Sequence, residues 1–297
     1  MRVNPNYTAN MVSLLNQSQQ DETNALQALS TGRRVNKPSD DAAAEAAMVS
    51  ENSRLAADDQ YTANSESLKQ ILNTADSTLS SVVTILQRAS TLAIEGANGT
   101  MNQTNLSSIA AEVSGINRQM LSLANTSYAG KYIFAGTATG SAPYIADVSV
   151  PGKIDYAGND RQNSVQIGTG LTVSANLPGS SIFSQTSGNV FDALQSLFTA
   201  LQSGDATAIE AAGTRISSAI DAINTSRVFY GNTVNELTSN ETYLSQDKIN
   251  IADYQNTLVS SDPAEATTAV TQAEYARNAT VAAAAKMNQV SLLDYLK

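Results

Sequence analysis

Apolar residues recur at alternating steps of four and three along the first third of the chain, a spacing typical of a helix packed along a narrow seam. The seam residues are Leu68, Leu72, Ala75, Leu79, Val82, Leu86, Ala89 and Ala93. Two acids at 40–41 and a glycine-rich break at 96–99 bound the stretch, which predicts one helix of about 57 residues and about 85 Å. The spacing then resumes and predicts a second helix that returns beside the first, with Leu106, Ile109, Val113, Ile116, Met120 and Leu123 on its seam.

A strict seven-residue spacing marks the last third of the chain. Its members are Ile209, Ile216, Ile223, Tyr230, Leu237, Leu244, Ile251 and Leu258. The companion positions are mostly polar: Ile220, Arg227, Val234, Glu241, Lys248 and Gln255. One narrow apolar line beside a half-polar line predicts a long coiled-coil partner helix. A shorter amphipathic helix is predicted to begin at Val190.

Between these helical blocks the period changes. Residues 137–189 contain short runs of β-branched and aromatic residues, cut by Gly, Pro and Asn-Asp turns, which predicts a small β insertion. Four tyrosines near it either line a ligand surface or form the core of the small domain, and the core interpretation is favoured: Tyr128, Tyr132, Tyr144 and Tyr156.

The two ends of the chain are poor in large apolar residues. Residues 1–31 carry few large apolar side chains, such as Met11, Leu14, Leu15, Leu26 and Leu29, separated by Gln, Ser and Asn. At the other end, Asp262 and Pro263 begin a helix whose predicted seam is Ala266, Ala269, Ala273, Ala276, Ala283, Met287 and Val290. Small seam residues bury little area, at about 25 cal/mol per Å², against about 1–2 kcal/mol of backbone entropy per ordered residue. We expect both ends to be frayed or disordered in a single chain and to order against other copies.

The fold predicted is mainly α-helical, with long heptad-repeat helices in an elongated antiparallel bundle and a small inserted β domain. Five segments follow from the pattern: an N-terminal helix (1–35), the first half of the long helical core (36–136), the β insertion (137–189), the second half of the core (190–261) and a C-terminal helix (262–297).

Composition excludes several classes of function. Apolar residues are 42% of the chain but aromatic residues only 5%, which favours thin helices over a round enzyme. The net charge of −10 argues against a nucleic-acid partner. Without Cys or His there is no disulfide, thiolate metal site, zinc-protease motif or Ser-His-Asp triad. No apolar run is long enough to span a membrane, so we expect no membrane partner. The N-terminal segment lacks the apolar h-region of a secretory signal peptide. We expect no catalytic residue, metal site or cofactor.

One candidate site remains, within "LSTGRRVNKPSDDAAAEA" at 29–46. Gly32, Arg33 and Arg34 could hold an anion, and Asp40 with Asp41 could form a carboxylate pair. The favoured interpretation is a joint between helices. Gly32 would end one helix, Pro38 would prevent its continuation, and Ser39 would cap the next, with both acids near its positive end. Two further Gly-rich segments, at 96–100 and 168–180, lack the Gly-Lys-Ser/Thr of a phosphate loop and are interpreted as turns.

Several segments resemble a known family. "LSTGRRVNKPSDDAAAEAAM" and "LQRASTLAIEGANGTMNQTN" are similar to the signature segments of the flagellin superfamily. "ANTSYAGKYIFAGTATGSAPY" and the terminal "SLLDYLK" resemble the branch of that superfamily that joins hook to filament. The resemblance covers both termini and the helical core, and it implies a flagellin-like fold and a structural role in the bacterial flagellum.

The resemblance also implies how the subunit assembles. Residues 1–35 and 262–297 would pair as axial assembly helices. The implied hinge and assembly residues are Leu29, Gly32, Arg33, Arg34, Pro38, Asp40, Asp41, Leu292, Leu293, Tyr295 and Leu296. The implied partners are further copies in a ring or helical layer, a hook-side junction protein, filament flagellin or a second junction protein, and an export chaperone on the C-terminal helix. Export would follow the flagellar type III route.

Two alternatives stay open at this point. The protein could be a small flagellin that forms the filament itself. It could also be a secreted binding module, with a ligand held by residues 137–189 on a helical stalk.

Overall fold

The computed structural model describes residues 7–147, 152–185 and 188–295, with side chains from residue 9 to residue 286 of that set. Its helices are α1 (Tyr7–Thr31), α2 (Ala42–Gly96), α3 (Gln103–Ala124), α4 (Gly179–Ile182), α5 (Val190–Ser203), α6 (Ala206–Val259) and α7 (Pro263–Tyr295). The strands are β1 (Ser127–Tyr128), β2 (Lys131–Tyr132), β3 (Tyr144–Ala146), β4 (Ile154–Tyr156), β5 (Ser164–Gly168) and β6 (Leu171–Ser174). A mainly α-helical protein with long helices and small sheets is thereby confirmed.

The described residues divide into two compact units. The assembly unit comprises the described parts of Met1–Ala57 and Gln246–Lys297, and the core unit is Asp58–Ser245. Both long helices contribute to each unit. The predicted boundaries at 137 and 189 do not coincide with these divisions, because the strand region belongs to the core unit.

Heptad burial builds the core unit. All eight seam residues predicted on α2 are at most 3% exposed, and the α6 line from Ile209 to Ile251 is at most 2% exposed. α3 adds its own seam, including fully buried Val113 and Met120. The α2 seam, the α3 residues and the α6 line from Ile209 to Leu237 form one continuous core together with α5 and the strands.

The half-polar line of α6 makes ion pairs with α2. Arg227 Nε donates to Asp76 Oδ1 at 2.8 Å, and Lys69 Nζ donates to Glu241 Oε2 at 2.8 Å. As the α2 partner advances from 69 to 76, the α6 partner moves back from 241 to 227. The two helices therefore run antiparallel within the core unit.

The strands form three separate antiparallel pairs: β1 with β2, β3 with β4, and β5 with β6. They begin at Ser127, earlier than predicted, because Ala129 and Gly130 both adopt positive φ and close a tight β1–β2 turn. The described residues of this region have no separate core. The ring of Tyr144, which is 2% exposed, lies 5.0 Å from Phe191 of α5 and 5.6 Å from Phe183. Of the four tyrosines, only Tyr144 is fully buried, and the other three are half-buried.

We predict that Leu79→Ala lowers the free energy of unfolding by about 2–5 kcal/mol, because it removes a fully buried side chain from the seam and leaves a cavity. The matched control on the same helix is Ile94→Ala, whose side chain is 73% exposed, and its effect is expected to stay within about 0.5 kcal/mol. Urea unfolding followed by circular dichroism measures both. Equal losses in the two variants would contradict the assigned seam.

Candidate functional site

The candidate site is a joint in the assembly unit, where α1 ends, α2 begins, α6 ends and α7 begins. Gly32 follows the last residue of α1 with φ +68°, the left-handed conformation that ends many helices. The next residues pair with the α6–α7 loop: Arg34 N donates to Val259 O at 2.7 Å, and Ser261 N donates to Gly32 O at 2.9 Å. Arg33 and Ser260 face each other across this short antiparallel ladder. The backbone therefore clips the two loops together.

The guanidinium of Arg34 joins three elements. Its Nη2 donates to Asp41 Oδ2 at 3.0 Å and to the carbonyl oxygen of Leu258 at 3.1 Å. The last carbonyls of a helix lack intrahelical partners and carry partial negative charge, so a cation is favourable at the end of α6. Because Arg34 already binds Asp41 and the end of α6 within the protein, its position is explained by a joint between helices. A bound anion is not needed to explain it.

Asp40 and Asp41 do different work and form no carboxylate pair. Asp41 Oδ1 accepts hydrogen bonds from the N–H groups of Ala43 at 3.1 Å and Ala44 at 3.0 Å, which makes Asp41 the N-cap of α2. Asp40 Oδ2 accepts from the N–H groups of Asn36 at 3.0 Å and Lys37 at 2.9 Å. One carboxylate starts the helix, and the other closes the loop before it.

The predicted cap at Ser39 is wrong. Pro38, Ser39 and Asp40 form a turn in which Asp40 N donates to Lys37 O at 2.9 Å, so the helix cannot begin until Ala42. Pro38 serves this turn, in keeping with its fixed φ and missing donor.

Hydrogen bonds lower the pKa of both carboxyl groups. For Asp40, the backbone N–H of Asn36 and then that of Lys37 hold the pKa below its ordinary value. For Asp41, the pKa is lowered first by the N–H of Ala44 and then by the Arg34 guanidinium. Both groups are thus ionised at neutral pH.

A small apolar cluster under the joint was missed by the sequence analysis. Val35 is 2% exposed and packs with Ala44 and Val259, flanked by Met48 and Leu258. Its signal is slight: Val35 is the only residue apart from Pro38 between Gly32 and Asp41 that lacks a polar or charged side chain.

Two further polar residues of the joint were also missed. The Thr31 hydroxyl donates to Asn36 Oδ1 at 2.9 Å, and Asn36 Nδ2 donates to Arg33 O at 2.7 Å. Leu29, which was predicted for the joint, lies on α1 with 40% of its surface exposed and is absent from this network.

From the joint, α1 and α7 run side by side within the assembly unit. They are antiparallel, because Glu22 of α1 contacts Arg277 of α7, while Gly32, just after α1, contacts Ser261, just before α7. Arg277 Nη1 donates to Glu22 Oε2 at 2.9 Å, and the Glu22 side chain is only 13% exposed. The described parts of both ends, α1 and α7, are therefore helical and in contact within one molecule. Their fraying in a single chain stays a prediction.

The contact face of α7 differs from the predicted seam. Its buried and half-buried positions are Ala266, Val270, Ala273, Arg277, Thr280 and Ala284. Ala269, Ala276 and Ala283 are exposed. Alanine lies on several faces of this helix, so the contrast between apolar and polar residues does not identify the contact face. The ion pair between Arg277 and Glu22 does identify it. The side chains of Met287 and Val290 lie outside the described residues.

The α1–α7 pair leaves large apolar side chains uncovered. Ser18 is the only fully buried residue among the described side chains of α1. The exposed apolar residues, with their exposed fractions, are Val12 (57%), Leu14 (60%), Leu26 (46%) and Leu29 (40%) on α1, and Tyr275 (79%) and Val281 (47%) on α7. The predicted assembly residues Leu292, Leu293 and Tyr295 lie on α7 beyond the described side chains, and Leu296 lies outside the described residues altogether.

Within the described ranges, no cluster of three or more acidic, His or Cys side chains is suited to a metal ion. No helix there combines the length and apolar character needed to cross a bilayer.

We predict that Gly32→Ala lowers the free energy of unfolding by roughly 1–2 kcal/mol, because an L-residue is strained at φ +68°. No atom lies within 4 Å of the added Cβ, so the loss measures backbone strain alone. The matched control is Gly231→Ala, inside α6 with equally open space and no positive φ. This variant is expected to raise the free energy of unfolding by about 0.5–1 kcal/mol. Denaturant unfolding of both variants checks this, and effects of the same sign would count against it.

The joint is expected to weaken in acid. Because the folded pKa values of Asp40 and Asp41 are depressed, their stabilisation is complete above the unfolded-state pKa of about 3.9 and is lost as the pH falls through the lower folded values. Asp41→Asn keeps a capping oxygen but removes the charge next to Arg34. Asp41→Ala removes both. Melting temperatures at neutral pH should rank wild type, Asn and Ala in descending order.

In acid the gap between the wild type and Asp41→Asn should close, while Asp41→Ala stays lowest. Melts followed by circular dichroism across the pH range measure this. Equal melting temperatures for Asp41→Asn and Asp41→Ala would show that residue 41 does not cap α2.

Both ends of this chain are similar to known proteins. Residues 3–139 match the bacterial flagellin N-terminal helical region, and residues 214–296 match the bacterial flagellin C-terminal helical region. Flagellar hook-associated protein 3 of Salmonella typhimurium is 32% identical over 62% of this chain and 56% of that protein. The match thus spans little more than half of that relative's length.

Two further proteins extend the comparison. A flagellin of Listeria monocytogenes is 27% identical over 75% of this chain and 81% of that protein. The structure of a flagellar hook-associated protein from Vibrio parahaemolyticus shares the fold, with a TM-score of 0.68, 21% identity, and coverage of 74% of this chain and all of that protein. Since the two regions that define one family are matched at the two ends of the sequence, this chain belongs to the bacterial flagellin family.

Proposed function

We propose that this protein is a structural subunit of the bacterial flagellum that joins the hook to the filament. The observation that carries the proposal is the uncovered apolar surface of the paired terminal helices, above all Val12, Leu14 and Leu26 of α1. Helices that leave such residues open gain by packing against further helices, at about 25 cal/mol per Å² of apolar area. Copies of the same protein around a common axis supply those helices.

In this proposal the joint sets the geometry of assembly. The Gly32–Ser261 ladder and Arg34 hold the base of α1 and α7 together, so that each subunit presents the two helices as one block. The partners are other copies in a ring or helical layer, a hook-side junction protein, and filament flagellin or a second junction protein. Before assembly, an export chaperone covers the C-terminal helix, and the subunit leaves the cell by the flagellar type III route.

Similarity to a hook-associated protein supports the junction role, since identity to that relative is 32% against 27% to the Listeria flagellin. The flagellin match favours a second candidate, a small filament subunit, because it covers more of both proteins. The two roles differ in their products. A filament flagellin grows long filaments from seeds unaided, whereas a junction protein stops at short layers.

Deletion of the gene in a motile strain that encodes this protein is expected to leave hooks in place, abolish filaments and release flagellin into the medium. Complementation of the deletion strain with variants tests the exposed apolar surface of α1. The double variant Leu14→Asp/Leu26→Asp should fail to restore filaments, because it places charge on the proposed packing face. Its control, Leu14→Met/Leu26→Met, keeps the face apolar and should restore motility.

Electron microscopy of hooks and filaments, with flagellin blotted in the medium, reads out each strain. Both substituted positions are exposed, so circular dichroism should show an unchanged fold in the purified variants. Filament loss without shed flagellin would point to the filament role instead. Full motility of the deletion strain would reject both roles, and full motility of the Asp variant would reject the proposed packing face.

A further inference from the structure

The turn between α2 and α3 contains the only Asn-Gly dipeptide in the sequence, Asn98-Gly99. Asn98, Gly99 and Thr100 are all exposed. A Cβ built on Gly99 would meet no atom within 4 Å, and its φ is not in the left-handed region. Neither packing nor the backbone conformation therefore requires glycine at position 99, which leaves the chemistry of the Asn-Gly bond to be considered.

The side chain of Asn98 is held over the peptide that follows it. Its Oδ1 accepts hydrogen bonds from Thr100 N at 3.3 Å and from the Thr100 hydroxyl at 3.1 Å. The two donors on Oδ1 polarise the amide carbonyl of Asn98 and make its carbon more electrophilic. Among the residues that the structure describes, the Gly99 N–H has no hydrogen-bond acceptor of its own. The Gly99 nitrogen, the potential nucleophile, is thus not held by a hydrogen bond. The Asn98 amide carbon, the potential electrophile, carries an oxygen that accepts two hydrogen bonds.

We propose that Asn98 is a site of self-modification, at which the amide converts to a carboxylate without an enzyme. The Gly99 nitrogen, on loss of its proton to solvent, bonds to Cγ, the amide carbon of Asn98. The bond between Cγ and Nδ2 then breaks, and Nδ2 leaves as ammonia with protons from water. Thr100 stabilises the negative charge that develops on Oδ1, as donors aimed at an oxyanion do.

Water completes the reaction. The five-membered succinimide is hydrolysed at one of its two carbonyls. Opening at the carbonyl that came from the Asn98 amide gives aspartate, and opening at the backbone carbonyl gives isoaspartate, in which the backbone runs through the β-carbon. One water is consumed and one ammonia released per residue, with no oxidation or reduction.

The product changes the surface at this turn. The new carboxylate lies three residues after Glu95, just beyond the C-terminus of α2, where the helix carries partial negative charge. It also borders a cavity of about 500 Å³ that Glu210 lines. Isoaspartate adds a backbone atom to the short connection between α2 and α3. Each subunit thus acquires a charge and a change in its turn with age, independently of its role in assembly.

The test follows the purified full-length protein in mildly alkaline buffer at physiological temperature. Tandem mass spectrometry of the tryptic peptide 89–118 locates the conversion, and Asn102, Asn105 and Asn117 in the same peptide are internal controls. Because glycine offers no side chain to hinder attack, Asn98 is expected to convert at least about tenfold faster than those three. Its products should separate as aspartyl and isoaspartyl forms. Equal rates at the four positions would overturn the proposal.

Two variants separate chemistry from geometry. Gly99→Ala should slow conversion roughly tenfold, because a Cβ hinders the approach of the nitrogen. The open space around Gly99 means that this variant keeps the fold, which circular dichroism verifies. Thr100→Val removes the hydroxyl donor and should slow conversion about two- to threefold. An unchanged rate in Gly99→Ala would reject the succinimide route, and an unchanged rate in Thr100→Val would reject the role assigned to Thr100.

Discussion

Two backbone hydrogen bonds, from Arg34 to Val259 and from Ser261 to Gly32, clip together the loops from which α1 and α7 extend. The clipped segments are far apart in sequence: Arg34 and Leu258 are separated by 224 positions along the chain. Two hydrogen bonds, at about 0.5–1.5 kcal/mol net each, do not offset the entropy of closing so long a loop. The clip therefore depends on the long helices that bring its halves together, aided in the assembly unit by an ion pair of 3.1 Å between Arg54 and Asp247.

The long helices face a problem of register, since a strict heptad repeat still matches after a slip of seven residues. The half-polar line of α6 resolves it in the core unit. Arg227 with Asp76 and Lys69 with Glu241 meet at one alignment, and a slip would separate both pairs. Such partly exposed pairs contribute under about 1 kcal/mol each, which is too little to drive pairing but enough to distinguish alignments of equal apolar burial.

The two units use side-chain size in opposite ways. The core unit buries Leu, Ile, Val and aromatic residues along continuous seams within one molecule. The α1–α7 pair buries mainly serine, alanine and an ion pair, while Leu14, Leu26 and Tyr275 stay open. Small contact residues let two helices approach closely at little energetic gain, so the large residues on the flanks are left for further contacts. An assembling subunit needs this distribution, because contacts with neighbours must remain available after the subunit has folded.

The sequence by itself determined the long helices, their seams and the absence of His and Cys chemistry. Periodic contrast between apolar and polar side chains is a local signal, and burial followed it along the α2 line and along the α6 line from Ile209 to Ile251. Tertiary structure alone decided the contact face of α7, where alanine on several sides gives no contrast and Arg277 finds Glu22. It also decided which acid caps α2, because the turn at 38–40 delays the helix start, and which loop meets Gly32, because backbone groups pair without any side-chain signature. Tertiary structure also placed the strands on the helical core, because the ring of Tyr144 in β3 packs against the ring of Phe191 in α5.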